Sequence, residues 1–181
     1  MITTPSLHLR PPTLADAEAL MPVFGDVRAM RFIGDGSART LEQVRDSLTK
    51  KLASLDAHAV TLWTVELAAP IDGVDLPVGT VIGDCGVFPI AWAGPEFELA
   101  YRYRPEVWGK GIAGEAATSA MAHAWKATDF SRILGLAYAD NTPSRRVLER
   151  IGMTHQGTTD RYYGVELEWY AADRPSHAES A

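Results

Sequence analysis

Residues 96–127 read EFELAYRYRPEVWGKGIAGEAATSAMAHAWKA, and the succession of strand, glycine turn and helix within them sets the frame for the rest of the chain. Phe97, Leu99, Tyr101 and Tyr103 alternate with Glu98, Ala100 and Arg102, the period of two expected of a strand whose faces differ. Pro105 ends that ladder because it has no amide to donate. Farther on, Ile112, Ala113, Ala116, Ala117, Ala120, Met121, Ala124 and Trp125 draw one apolar stripe at helical spacing. Most of that stripe is alanine, so the helix is expected to lie close on a sheet.

Between strand and helix stands Trp108-Gly109-Lys110-Gly111-Ile112-Ala113-Gly114. The first amides of a helix have no partner within it, and glycines let an anion approach the backbone without obstruction. A diphosphate suits such a place, where the helix dipole favours negative charge and Lys110 adds a cation. The spacing is neither the dinucleotide fingerprint nor the Walker loop. Taken alone, the three glycines fit a turn that merely caps a helix equally well.

A chain of 181 residues supports one domain, assigned to residues 1–172, with 173–181 as a polar, proline-containing tail expected to fray. Hydrophobic residues at 46% and charged residues at 22% exclude collagen-like, disordered and disulfide-dense classes. A net charge of −6 disfavours nucleic acid as a partner and suits cationic amines. The lone Cys85 lies in an apolar run, so a buried structural thiol in a reducing cytoplasm is expected. The first residues lack a signal-peptide core and no run approaches the ~20 apolar residues of a span, so neither export nor a membrane is expected. Five histidines show no metal-ligand spacing, and no metal is expected.

Working outward, Leu7 to Arg10 reads as a strand, and Thr13 opens a helix with Leu14, Ala17, Leu20, Met21 and Phe24 on its buried face. Thr40 and Gln43 form a capping-box pattern before a second helix, reaching about Leu55, with Leu41, Val44, Leu48, Leu52 and Leu55 as its stripe. Residues 58–67 and 78–88 read as antiparallel strands, and 133–139 as a buried one. A last helix starts with Thr142 as cap and Pro143 in its first turn, buries Val147, Leu148 and Ile151, and stops at Gly152. Residues 153–159 and 162–170 close the chain as two strands around Thr159-Asp160-Arg161.

This order of elements, with Trp108-Gly109-Lys110-Gly111, Asn141-Thr142-Pro143-Ser144 and Arg150-Ile151-Gly152-Met153, resembles the GCN5-related N-acetyltransferase (GNAT) superfamily. Leu9-Arg10-Pro11, Met30-Arg31-Phe32-Ile33-Gly34 and Glu98-Leu99-Ala100-Tyr101 look like its RimJ/RimL branch of ribosomal-protein N-acetyltransferases. The resemblance covers roughly residues 7–170. It implies an α/β (α+β) fold: a mixed, mostly antiparallel twisted sheet of about six to seven strands, flanked by about four helices and splayed between the fourth and fifth strands. It further implies an acetyl-CoA-dependent acyltransferase acting on a primary amine, either a protein N-terminus or a small molecule, and it leaves room for a homodimer.

The same resemblance implies that the CoA diphosphate rests on the amides of Gly109, Lys110, Gly111, Ile112, Ala113 and Gly114, beside Trp108. Pantetheine would pair like an added strand in the slot flanked by Tyr101 and Tyr103, with Asn141 and Ser144 touching the cofactor. Arg31, Glu98 and Tyr138 would face the acceptor, although Tyr138 also reads as an aromatic buried beside a strand end. Attack of an amine on a thioester needs a base for the ammonium and a proton for the leaving thiolate. Glu98 is the base candidate, with a solvent-facing or substrate-binding carboxylate as the plainer reading. Many superfamily members place a tyrosine seven residues after the asparagine, where this chain has Leu148. Ser144 is the remaining candidate to serve the thiolate, or else a first-turn residue satisfying a free amide. Two rivals stay open: another donor such as succinyl-CoA, or a non-catalytic acyl-CoA-binding regulatory module.

Overall fold

The computed structural model describes residues 1–175. Eight strands form one sheet: β1 (Ile2–Thr3), β2 (Leu7–Arg10), β3 (Leu62–Leu67), β4 (Val81–Pro89), β5 (Phe97–Tyr103), β6 (Arg132–Ala137), β7 (Thr154–Thr159) and β8 (Leu167–Asp173). Their order is β1-β2-β3-β4-β5-β6-β8-β7, and every neighbouring pair is antiparallel except β5 with β6. The helices are α1 (Ala17–Phe24), α2 (Val27–Met30), α3 (Leu41–His58), α4 (Ile112–Ala127) and α5 (Thr142–Arg150). The expected six or seven strands become eight because Ile2–Thr3 adds a short edge. A fifth helix appears because Asp26 accepts the Arg28 amide at 2.8 Å and caps the single turn of α2.

The parallel pair decides where a site can form. Strands β5 and β6 pair only at Glu98 with Leu134 and Leu99 with Gly135, and then part. Helix α4 covers the face of β5 that carries Leu99 and Tyr103, and its Ala116, Ala117, Ala120 and Ala124 are all buried. The alanine stripe thus does what its small side chains allow. On the opposite face, Leu20, Val23 and Phe24 of α1 and Val44 and Leu48 of α3 form a second cluster.

Several local expectations shift. Residues Leu14–Asp16 make a 3-10 turn that leaves Leu14 54% exposed and buries Asp16, which pairs with Arg10 at 2.7 Å. The capping box at Thr40 forms, with bonds of 2.9 and 3.3 Å. Its helix runs on to His58, so β3 starts at Leu62. Asn141, not Thr142, caps α5, because its side chain is the one that accepts from the Ser144 amide, at 3.4 Å. In α5 Leu148 is buried, while Val147 and Ile151 are only half-buried. Residues 162–166 form a turn and not a strand. Asp173 belongs to β8, and the Arg174 guanidinium donates to the carbonyls of Trp125, Thr128 and Phe130. Residues 176–181 of the expected tail lie outside the described residues. Among the described residues no helix is long and apolar enough to cross a membrane.

Candidate active site

The glycine turn places six successive backbone amides at one end of α4. Gly109 and Gly111 adopt φ of 73° and 82°, which residues with a Cβ avoid, and Gly111 is the residue that caps the helix. Among the described residues the amides of Ile112, Ala113 and Gly114, in the first turn of α4, have no acceptor. A side chain placed at Gly109, Gly111 or Gly114 would project into open space. Thr3, Thr4, Gly111, Gly114, Thr118 and Arg150 line a groove of about 540 Å³ beside these amides. Lys110 does not point its charge into this space: its ammonium donates to the Asp72 carbonyl at 2.8 Å. Half-exposed Trp108 is pinned by its indole N–H to the Tyr103 carbonyl at 2.9 Å.

Where β5 leaves β6, Tyr101 crosses to α5. Its hydroxyl lies 3.0 Å from Ser144 Oγ and 3.1 Å from the Ser144 carbonyl oxygen. Burial keeps the Tyr101 phenol protonated far above its ordinary range, so the pair is neutral. Ser144, whose amide donates to Asn141 Oδ1, therefore meets Tyr101 at the N-terminal, positive end of a nine-residue helix. Tyr103, expected beside the slot, is instead a core residue, 5% exposed under α4. Leu148 does not face the slot either. It packs on β6 so closely that a Cβ at Gly135 would fall 2.8 Å from its Cδ2.

Glu98 projects from the other face of β5 and is 5% exposed, which removes the solvent-facing reading. Burial raises its carboxyl to about 7, against a hydrogen bond from Tyr163 and the charge of Arg102, both of which favour ionisation. Tyr163 comes from the turn between β7 and β8. The same turn attaches to Glu96 through Arg161 at 2.5 Å and through the Tyr162 hydroxyl at 3.3 Å. At the far side of the opening, the half-buried Tyr138 meets Phe32 with ring centroids 5.9 Å apart, and exposed Arg31 lies 5.0 Å over Phe32.

The structure thus brings Asn141, Ser144 and Tyr101 together, sets Arg31 with Tyr138, and buries Glu98, while Lys110 and Tyr103 turn elsewhere. Sequence reasoning missed Phe32, Tyr162 and Tyr163. Phe32 stood between singled-out neighbours, and the Tyr162-Tyr163-Gly164 run carried its own turn signal in the glycine.

Against known proteins, residues 6–154 match the family model described as acetyltransferase (GNAT) domain. A Bacillus subtilis (strain 168) protein named as an uncharacterized N-acetyltransferase, YoaA, is 26% identical over 162 residues, covering 90% of this chain and 87% of the relative. An acetyltransferase of the GNAT family from Bacillus anthracis superposes with a TM-score of 0.75 at 24% identity, over 96% of this chain and 98% of the other. RimL, described as a ribosomal L7/L12 α-N-protein acetyltransferase in complex with coenzyme A, gives 0.76 at 16% identity, over 94% and 95% of the two chains. Sharing the domain match over most of its length and the acetyltransferase architecture throughout, this chain belongs to the GNAT acetyltransferase family.

Proposed function

We infer that the chain transfers an acetyl group from acetyl-CoA to a primary amine by direct attack. One observation carries the reading: β5 parts from β6 between a cradle of unpartnered amides and two sets of proton-handling side chains on opposite faces of β5. The open space at Gly109, Gly111 and Gly114 fits a diphosphate on those amides, and the parted strands fit an extended thioester arm. Acetyl-CoA, when bound, supplies an acyl carbon joined to a good leaving sulfur. The chain's own residues do the rest.

Glu98, raised to about 7, is matched to taking a proton from an ammonium near neutral pH. As the amine nitrogen bonds to the acyl carbon and the carbon–sulfur bond breaks, negative charge gathers on sulfur. The Tyr101–Ser144 hydroxyl pair at the positive end of α5 is placed to donate to it. Leu148 fills core against Gly135, so the proton for the thiolate falls to the Tyr101–Ser144 pair.

RimL acts, by its description, on a ribosomal protein, and the similarly folded AAC(6')-Ib was solved with ribostamycin and coenzyme A at a TM-score of 0.75. Fold alone selects neither. Release of free thiol from acetyl-CoA, measured against peptide N-termini, polyamines, aminoglycosides and amino acids, tests the reading. Stimulation by one amine class is the expected result, and silence with acetyl-CoA but release from succinyl-CoA would replace the donor.

A further inference from the structure

Glu98 is met by a side chain that neither its own strand nor the two flanking strands supply. Across the ladder it faces Phe88 of β4 and Leu134 of β6, both apolar. Arg102 on its own strand is committed to Asp84, and the turn between β7 and β8 contributes Tyr163. Tyr163 is 50% exposed while its hydroxyl donates to Glu98 Oε1, so this one residue spans from solvent to the buried carboxylate. The hydroxyl oxygen also accepts from the Ala91 amide at 3.3 Å, which fixes it between two loops.

Backbone conformation points to the same spot. Tyr163 (φ 56°), Ala91 (φ 53°) and Trp92 (φ 61°) are three of the four described non-glycine residues with positive φ; the first carries this hydroxyl, the second donates to it, and the third follows the second in sequence. Left-handed backbone at bulky residues persists only where the surroundings hold it, and such strain gathers at sites with a task. Arg161 and Tyr162, both on Glu96, tie the turn down just ahead of Tyr163.

We propose that Tyr163 is the relay through which Glu98 receives the acceptor's proton: the ammonium gives a proton to the Tyr163 oxygen as the Tyr163 hydroxyl proton passes to Glu98 Oε1. One N–H and one O–H bond break, and two O–H bonds form. Tyr163 is neutral before and after, so no buried tyrosinate arises, and the positive charge leaving the amine cancels the carboxylate. The proposal rests on the transferase reading above for its acceptor, and only there.

Tyr163→Phe keeps the ring and removes the relay. With acetyl-CoA and the panel amine giving the fastest thiol release, the variant is expected to lose about 10- to 100-fold in kcat with KM for acetyl-CoA unchanged. Loss of a hydrogen bond to the carboxylate also moves the acidic limb of the kcat profile to higher pH. Tyr163→Phe in a Glu98→Gln background should cost nothing more. Independently of turnover, carbon-13 titration of the labelled full chain, with the Glu98 signal assigned by its loss in Glu98→Gln, should show the Glu98 midpoint rising in Tyr163→Phe. An unchanged kcat, a raised kcat as expected of a mere latch, or an unmoved Glu98 midpoint would each overturn the proposal. A wild type silent with every amine and donor sinks the transferase reading instead, and the titration still decides whether Tyr163 governs Glu98.

Discussion

Glu98 shows how a single side chain can be costly to the fold and useful to the chemistry. Its ordinary range lies near 4.5 and the folded protein raises it to about 7, so the folded state holds a proton that the unfolded chain has released. Stability linked to this group is present below about pH 4.5 and is lost as pH rises through 7, by up to about 3 kcal/mol. Glu98→Gln removes the titration while keeping a polar end for Tyr163. Its melting temperature should exceed that of the wild type at pH 8 and match it near pH 4, while turnover falls about 100-fold or more. Calorimetry at the two pH values together with the thiol assay checks this, and an equal offset at both pH values would show that burial does not hold Glu98 protonated. None of this was legible in sequence beyond the alternation that put Glu98 on its own face of β5. Burial came from Phe88, Leu134 and Tyr163, residues 10, 36 and 65 positions away along the chain.

At the scale of elements, α4 and the turn before it form the cofactor cradle, and the structure chooses which glycine can test it. Gly111 has φ of 82°, so a side chain there would strain the backbone and confound fold with binding. Gly114 has no such constraint and open space beside it. Gly114→Ala should stabilise the protein by up to about 1 kcal/mol through helix propensity. Gly114→Trp should weaken acetyl-CoA binding at least about tenfold with no loss of melting temperature, as calorimetric titration would show; unchanged affinity would place the diphosphate elsewhere. This element was the most legible part of the chain, since glycines, alanine stripe and strand alternation are local patterns. The turn between β7 and β8 was the least legible. Tyr162 and Tyr163 carry the residue types of a strand, and only Glu96 and Glu98, far off in sequence, hold them as a turn. Asn141 and Ser144 were legible as a pair, but the bond to Tyr101 depends on where β5 leaves β6.

For the whole molecule, both helical layers pack through apolar side chains, and one of them adds a second fastening. Helix α4 lies on the sheet through alanines, whereas α1 and α3 add a buried charge cluster to their apolar contacts. Asp84 of β4 accepts from Lys51 of α3 at 2.6 Å and from Arg102 of β5 at 2.9 and 3.0 Å, and Phe24 of α1 lies 5.1 Å from each cation. Lys51 escaped the sequence reading because it shares the face of Val44 and Leu48 yet is charged, and its partner stands in a different element. Burial pushes the Asp84 carboxyl up, but the charges of Arg102 and Lys51 outweigh this and hold it below its ordinary range. Its stabilising contribution is therefore present above about pH 4 and is lost as pH falls further. Asp84→Asn leaves two buried cations facing each other and should cost about 3–5 kcal/mol at pH 7, with the deficit shrinking in acid. Lys51→Met leaves the Arg102–Asp84 pair intact and should cost clearly less, since an apolar side chain needs no desolvation. Urea unfolding of both variants at pH 7 decides between a carboxylate that fastens the α1/α3 layer to β5 and one that merely fills it: equal losses would mean that Asp84 matters only for packing. Because Arg102 sits four residues along β5 from Glu98 and its charge favours Glu98 ionisation, loosening this fastening should also reach the active site.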